Sequence, residues 1–110
     1  MLPAVHSLRP QAGSRADEVV SPLAEGRAFR LEHIASHAAA SPPGFWYDQD
    51  RPEWVALLHG TASLEFAEGT LHLQPGDCLL IPAHLKHRVS ATSPDAAWLA
   101  LHFEPGSADK

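Results

Sequence analysis

Residues 53–81 read EWVALLHGTASLEFAEGTLHLQPGDCLLI, and this stretch decides the fold. Glu53 to His59 contains an apolar run, Trp54-Val55-Ala56-Leu57-Leu58, bounded by Pro52 and by the corner Gly60-Thr61. Ala62, Leu64 and Phe66 then alternate with Ser63 and Glu65. Glu68-Gly69 is a hairpin turn, because glycine supplies the positive φ that such turns require. Leu71 and Leu73 alternate with His72 and Gln74, Pro75-Gly76-Asp77 turns the chain, and Cys78-Leu79-Leu80-Ile81 is a short apolar strand. Short alternating runs separated by turn signals about every 8–12 residues are the pattern of an all-β sandwich or barrel.

Outward from this stretch the pattern continues. On the N-terminal side, Ala28 to Ala35 alternates with Phe29, Leu31 and His33 on one face; Ser41-Pro42-Pro43-Gly44 is a break; and Phe45 to Gln49 is a short aromatic strand. On the C-terminal side, His87 to Thr92 is a strand, Ser93-Pro94-Asp95 a loop, and Ala97 to Phe103 closes the set. Residues 1–25 form a weakly patterned N-terminal segment, irregular or partly helical, with one or two helical turns expected over Ala16 to Ala24. Residues 26–104 form the barrel and residues 105–110 a polar tail. Eight or so short strands without a long helix predict a small closed or double-sheet barrel, which removes vulnerable sheet edges.

Composition excludes several classes. The chain of 110 residues is one domain, since a second core would leave too few residues for either. Its net charge of −5 gives no clustered basic surface, so nucleic acid is not an expected partner. No apolar run is long enough to span a bilayer, and no signal peptide is visible at Met1-Leu2-Pro3, so no membrane partner is expected. A single cysteine, Cys78, excludes an internal disulfide framework and fits a reducing, cytoplasmic compartment. Cys78 has no basic neighbour in sequence and reads as packing. The 8 histidines are the notable count, because histidine is the commonest metal ligand.

Two segments resemble the paired motifs of the cupin superfamily. In the second, Gly76 is followed by five residues, then Pro82, His84 and His87; His84 stands where the family usually has Gly, and Ala91 where it usually has Asn. In the first, Glu53 and Gly60 are correctly spaced, but the two histidines are absent. Tyr47 and Gln49 take their places if the gap is three residues, Trp46 and Asp48 if it is four. The run from Ser41 to Phe103, with its Pro42-Pro43-Gly44-Phe45-Trp46-Tyr47-Asp48-Gln49 segment and its Ile81-Pro82-Ala83-His84 turn, resembles small single-domain bacterial cupins. That resemblance implies a double-stranded β-helix, or jelly-roll barrel, and often a homodimer. It leaves the reaction open, because one fold hosts many chemistries.

Glu53 and His87 each open a strand after a turn, so a barrel would bring both to one rim, pointing inward. Glu53 shares a face with Val55 and Leu57, and a carboxylate heading an apolar wall needs a cation, a donor or a metal. The expected site is therefore one divalent metal (iron, manganese, nickel or zinc) held by Glu53, His87 and either Gln49 or Asp48. Asp48 and Gln49 should not both face inward, because adjacent strand residues point to opposite sides. Tyr47, His84 and His102 are candidate pocket residues: Tyr47 as a phenolate or hydrogen-bond partner, His84 at the rim, His102 on a face with Trp98 and Ala100. His33 is a further candidate for the cavity. Glu53 and His87 would equally serve a metal-free pocket by bonding each other or water.

Phe45, Trp46 and Tyr47 would wall a pocket or pack against a neighbour, Trp54 should face away from Glu53, and Arg51 and Arg88 would clamp a substrate carboxylate or lie on the surface. The functional expectation is a metal-dependent enzyme of dioxygenase or isomerase/lyase type acting on a small organic molecule. The alternatives are a non-catalytic ligand-binding or sensory barrel and a purely structural module. Catalytic residues are not assigned.

Overall fold

The structure is a computed structural model and describes residues 1–9 and 18–105. Eight strands are described: β1 (Val19–Glu25), β2 (Phe29–Ala35), β3 (Glu53–His59), β4 (Ala62–Phe66), β5 (Gly69–Leu73), β6 (Cys78–Ile81), β7 (His87–Thr92) and β8 (Ala97–Phe103). They form a five-stranded sheet, β1-β2-β8-β3-β6, and a three-stranded sheet, β5-β4-β7, with antiparallel pairing throughout. Strands distant in sequence, such as β3 and β8, lie side by side, which is the arrangement of a jelly roll. Among the described residues no helix is long and apolar enough to cross a membrane.

The core lies between the sheets. Val55, Leu57, Trp98, Ala100 and Ile81 come from the five-stranded sheet, and Ala62, Leu64 and Leu73 from the three-stranded one. Leu57 is fully buried, and burial of one such side chain contributes about 1.5–3 kcal/mol. The Trp98 indole N–H donates to the Ser36 hydroxyl at 3.0 Å, so the polar edge of this large ring is satisfied inside the core. Gly60, at φ 76°, ends β3. A Cβ there would overlap Ser93 Oγ and come within 2.8 Å of the Ala96 backbone, so both conformation and space require glycine.

Two expectations are corrected. The helical turns foreseen over Ala16 to Ala24 are replaced by strand β1; Ala16 and Asp17 lie outside the described residues, as does the tail beyond residue 105. Strand β1 pairs on one side only, with β2, and Pro22 is tolerated there because an edge strand has no full ladder to complete. The aromatic strand foreseen over Phe45 to Gln49 is reduced to one antiparallel bridge, Tyr47 with His87. There the Tyr47 N–H donates to the His87 carbonyl at 2.7 Å and the His87 N–H to the Tyr47 carbonyl at 3.2 Å.

Candidate functional site

Strand register assembles the site. Glu53 on β3 stands beside His102 on β8, and His102 stands beside Arg30 on β2. These side chains and Glu32 face inward and line a cavity of about 240 Å³ between the sheets. Alternation extends the same wall inward as Val55, Ile34 and Trp98, joined by Leu64, Ile81 and Val89. The cavity therefore has a polar mouth and an apolar base.

His87 opens β7 on the opposite sheet and reaches into the mouth. It is 4% exposed, and its ring stacks on Tyr47 with centroids 5.4 Å apart. His87 Nδ1 lies 2.9 Å from the Leu85 carbonyl, so Nδ1 carries the proton donated there and Nε2 is left to face the cavity. Opposite Nε2 is Glu53 Oε1, at 3.8 Å; Glu53 itself is 9% exposed. That separation lies beyond hydrogen-bond reach, so the two attract through charge when the His87 ring is protonated. Burial pulls the His87 pKa down, but Glu53 and the Leu85 carbonyl outweigh it and hold the imidazole above its usual value of 6.5.

The other oxygen of Glu53 lies 3.7 Å from His102 Nε2, which is 3.3 Å from Glu32 Oε1. Glu32 is tied in turn to Arg30 at 2.9 Å. Glu18 also lines the mouth, and its carboxyl is raised, first by desolvation and then by the charges of Glu32 and Glu53. The residue as a whole is exposed, so water screens much of this effect. Tyr47 is raised first by burial and then by the charges of Glu18 and Glu53, which keeps it a neutral phenol.

The candidates sort cleanly by position. Glu53, His87, Gln49, Tyr47 and His102 line the one cavity, which is the arrangement of the three-residue gap in the first motif. Gln49 is held by its backbone carbonyl, which accepts from the His84 N–H at 2.7 Å. Asp48 points away from this cavity and pairs with His84 Nδ1 at 2.8 Å in an adjoining outer groove. His84 is largely exposed and sits at φ 64°, the conformation that favours the family's glycine at this place. His33 is 1% exposed but does not line the cavity; it lies 3.0 Å from His6. Burial, first, and His6, second, lower its pKa. Glu32, Arg30 and Glu18 were not foreseen. The signal for Glu32 was its alternation with His33 on β2: one of the two had to face inward, and Phe29 and Leu31 drew attention to the other face.

These donors do not fit a metal centre as they stand. A transition-metal site needs three or more donors about 2.0–2.2 Å from one point. Here Glu32, His102, Glu53 and His87 form a row, with the two imidazoles on opposite oxygens of Glu53. Among the described residues no group of three or more His, Cys, Asp or Glu side chains is placed to hold an ion. Tyr47 as a neutral phenol and Gln49 as a neutral amide replace the two imidazoles of the family motif, and Asp48 is turned away. The row is instead suited to holding and moving protons and to hydrogen-bonding a guest.

Comparisons agree with the fold. The family described as AraC-like ligand binding domain matches residues 47–110. A putative mannose-6-phosphate isomerase of Ralstonia eutropha JMP134 is 38% identical over 94% of this chain and 100% of its own, with a TM-score of 0.85. A cupin superfamily protein of Desulfitobacterium hafniense DCB-2 is 17% identical over 93% of this chain and 100% of its own, with a TM-score of 0.74. The polyketide cyclase RemF of Streptomyces resistomycificus is 17% identical over 94% of this chain and 80% of its own, at 0.70. These last two show shared fold alone. No match is found among curated proteins. With its two antiparallel sheets, its inward-facing Glu53 and His87, and a match to the AraC-like ligand-binding family over more than half its length, the chain belongs to the cupin superfamily.

Proposed function

We propose that this cupin binds one small organic molecule in its barrel, with Glu53 and His87 as the polar anchors. One observation carries the reading. Two buried side chains face each other across a cavity at 3.8 Å, and among the described residues neither the Glu53 carboxylate nor His87 Nε2 has a hydrogen-bond partner. Buried polar groups of this kind are satisfied by something in the cavity. The apolar base would take the body of the molecule. The family description, a ligand-binding domain, points the same way.

The Ralstonia neighbour's name includes a phosphorylated sugar, and that substrate class is not the one favoured here. A phosphate needs cationic donors. Arg30 at the mouth is engaged by Glu32, and Arg51 in the outer groove by Glu104 at 2.6 Å. Should the bound molecule be turned over, His87 Nε2 is the atom placed to take or give a proton, since Nδ1 is held by Leu85. A divalent-metal enzyme would require Glu53, His87 and His102 to swing onto a common point.

A fragment screen by NMR on the full chain tests the reading. Binders should move the His87 amide and the Trp98 indole resonance, and Glu53→Gln and His87→Gln should remove that response while leaving the fold intact. Shifts confined to surfaces outside the cavity would defeat it. Metal analysis of protein purified without a histidine tag tests the competing centre: one ion per chain, lost in both Glu53→Ala and His87→Ala, would replace the organic-ligand reading.

A further inference from the structure

Among the described residues the cavity mouth is short of lysine and arginine. Glu18, Glu32 and Glu53 line it, and the one described Lys or Arg side chain lining it is Arg30, which is bound to Glu32 at 2.9 Å. Glu53 is nine-tenths buried, has no hydrogen bond from the described residues, and is approached by described imidazoles at 3.7 and 3.8 Å. His87 Nε2, 3.8 Å from it, is an acceptor whenever the ring is neutral, because Nδ1–H is already donated to Leu85. A nitrogen carrying several N–H groups would sit about 2.9 Å from both acceptors at once. An anion in the same place would meet three carboxylates, offset among the described residues only by Arg30, already engaged by Glu32, and by His87 when its ring is protonated. Deeper in, the wall is hydrocarbon and indole.

We propose, resting on the ligand-binding reading above, that this cavity selects a small primary amine. Its ammonium head sits between Glu53 and His87, and its apolar body packs on Val55, Leu64 and Trp98. The charge of the head is what the buried carboxylate requires, since burying a lone carboxylate is costly and a charge-assisted hydrogen bond offsets that cost. The apolar base separates this guest from a bare metal ion, which would leave that surface empty.

Three probes of one shape decide the matter: benzylamine, benzyl alcohol and benzoate, titrated into the full chain by calorimetry and NMR. Benzylamine should bind at least about tenfold more tightly than benzyl alcohol, benzoate should not bind, and the Trp98 indole resonance should move. Glu53→Gln should erase the preference for amine over alcohol. Glu32→Gln, which keeps the central acceptor, should retain it, so a folding failure in one variant leaves the other informative. Equal or tighter binding of the alcohol or of benzoate would overturn the amine while leaving the ligand-binding reading in place. Silence of the cavity toward these probes and toward the whole fragment screen would overturn both. Displacement of bound benzylamine by an equimolar amount of manganese chloride would show that the cavity prefers an inorganic cation, and would also overturn the proposal.

Discussion

The mouth and the base of this barrel are built by the same strands and obey opposite rules. Along β3 the inward residues run Glu53, Val55, Leu57; along β8 they run His102, Ala100, Trp98; along β2, Glu32 then Ile34. Within two pleats each strand passes from a charged or titratable group to hydrocarbon. The base is where the fold gains its stability: Leu57 and Ala100 are fully buried, and the buried Trp98 N–H has its partner in Ser36. The mouth is where that satisfaction is withheld, since Glu53 and His87 are buried without a hydrogen bond between them. A binding site arises on a β scaffold when the alternation that builds a core is continued with polar residues whose partners are left to a guest.

Leu57→Ala should have the largest effect, removing about 2–5 kcal/mol of stability, measured by urea unfolding. A loss close to zero would mean that the base does not bear the fold. Ser36→Ala comes next. It leaves the buried Trp98 N–H unpaired, at a cost of about 1–3 kcal/mol, while benzylamine affinity should hold. A larger loss of affinity than of stability would show that base and mouth are coupled.

The pH response sharpens the contrast through two histidines shifted in opposite directions. His87 is held above 6.5, so its contribution to stability is fully present below about pH 6.5 and is lost as pH rises through its folded value. His33 is held below 6.5, so its effect is the reverse: stability falls as pH drops below about 6.5, where the unfolded imidazole takes a proton that the folded one does not. Unfolding measured from pH 5 to 8 should show Glu53→Gln abolishing the first dependence and His33→Gln the second. If either variant leaves the profile unchanged, that histidine does not sit as described. His84→Gly should be the smallest effect, a gain of about 1 kcal/mol or less from relieving φ 64°, with no change in ligand binding because His84 lies outside the cavity.

Much of this was legible in the residues. Glu53–His59, Cys78–Ile81, His87–Thr92 and Ala97–Phe103 are strands with the bounds that their alternation and flanking turns suggest. Glu53, His87 and His102 line the same cavity. The less legible parts share a physical cause: local pattern does not report which neighbour a strand will have. Val19–Glu25, with Pro22 in it, reads as a broken helix until β2 is there to pair with it. Glu32 is not singled out by the sequence, because Phe29 and Leu31 suggest the opposite inward face. Yet the outward face of the five-stranded sheet is itself apolar, with Leu80 56% exposed, so hydrophobicity alone does not tell inside from outside. Whether Gln49 or Asp48 turns inward was undecidable from sequence, because it depends on the Tyr47–His87 bridge and the His84–Gln49 backbone bond.

The central claim is that the carboxylate of Glu53 and the imidazole of His87 share the cavity closely enough to govern each other. Titration of the His87 ring by NMR, in the wild type and in Glu53→Gln, tests it most directly. The wild-type midpoint should lie above 6.5 and fall clearly in the variant. A midpoint that Glu53→Gln leaves where it was would contradict it.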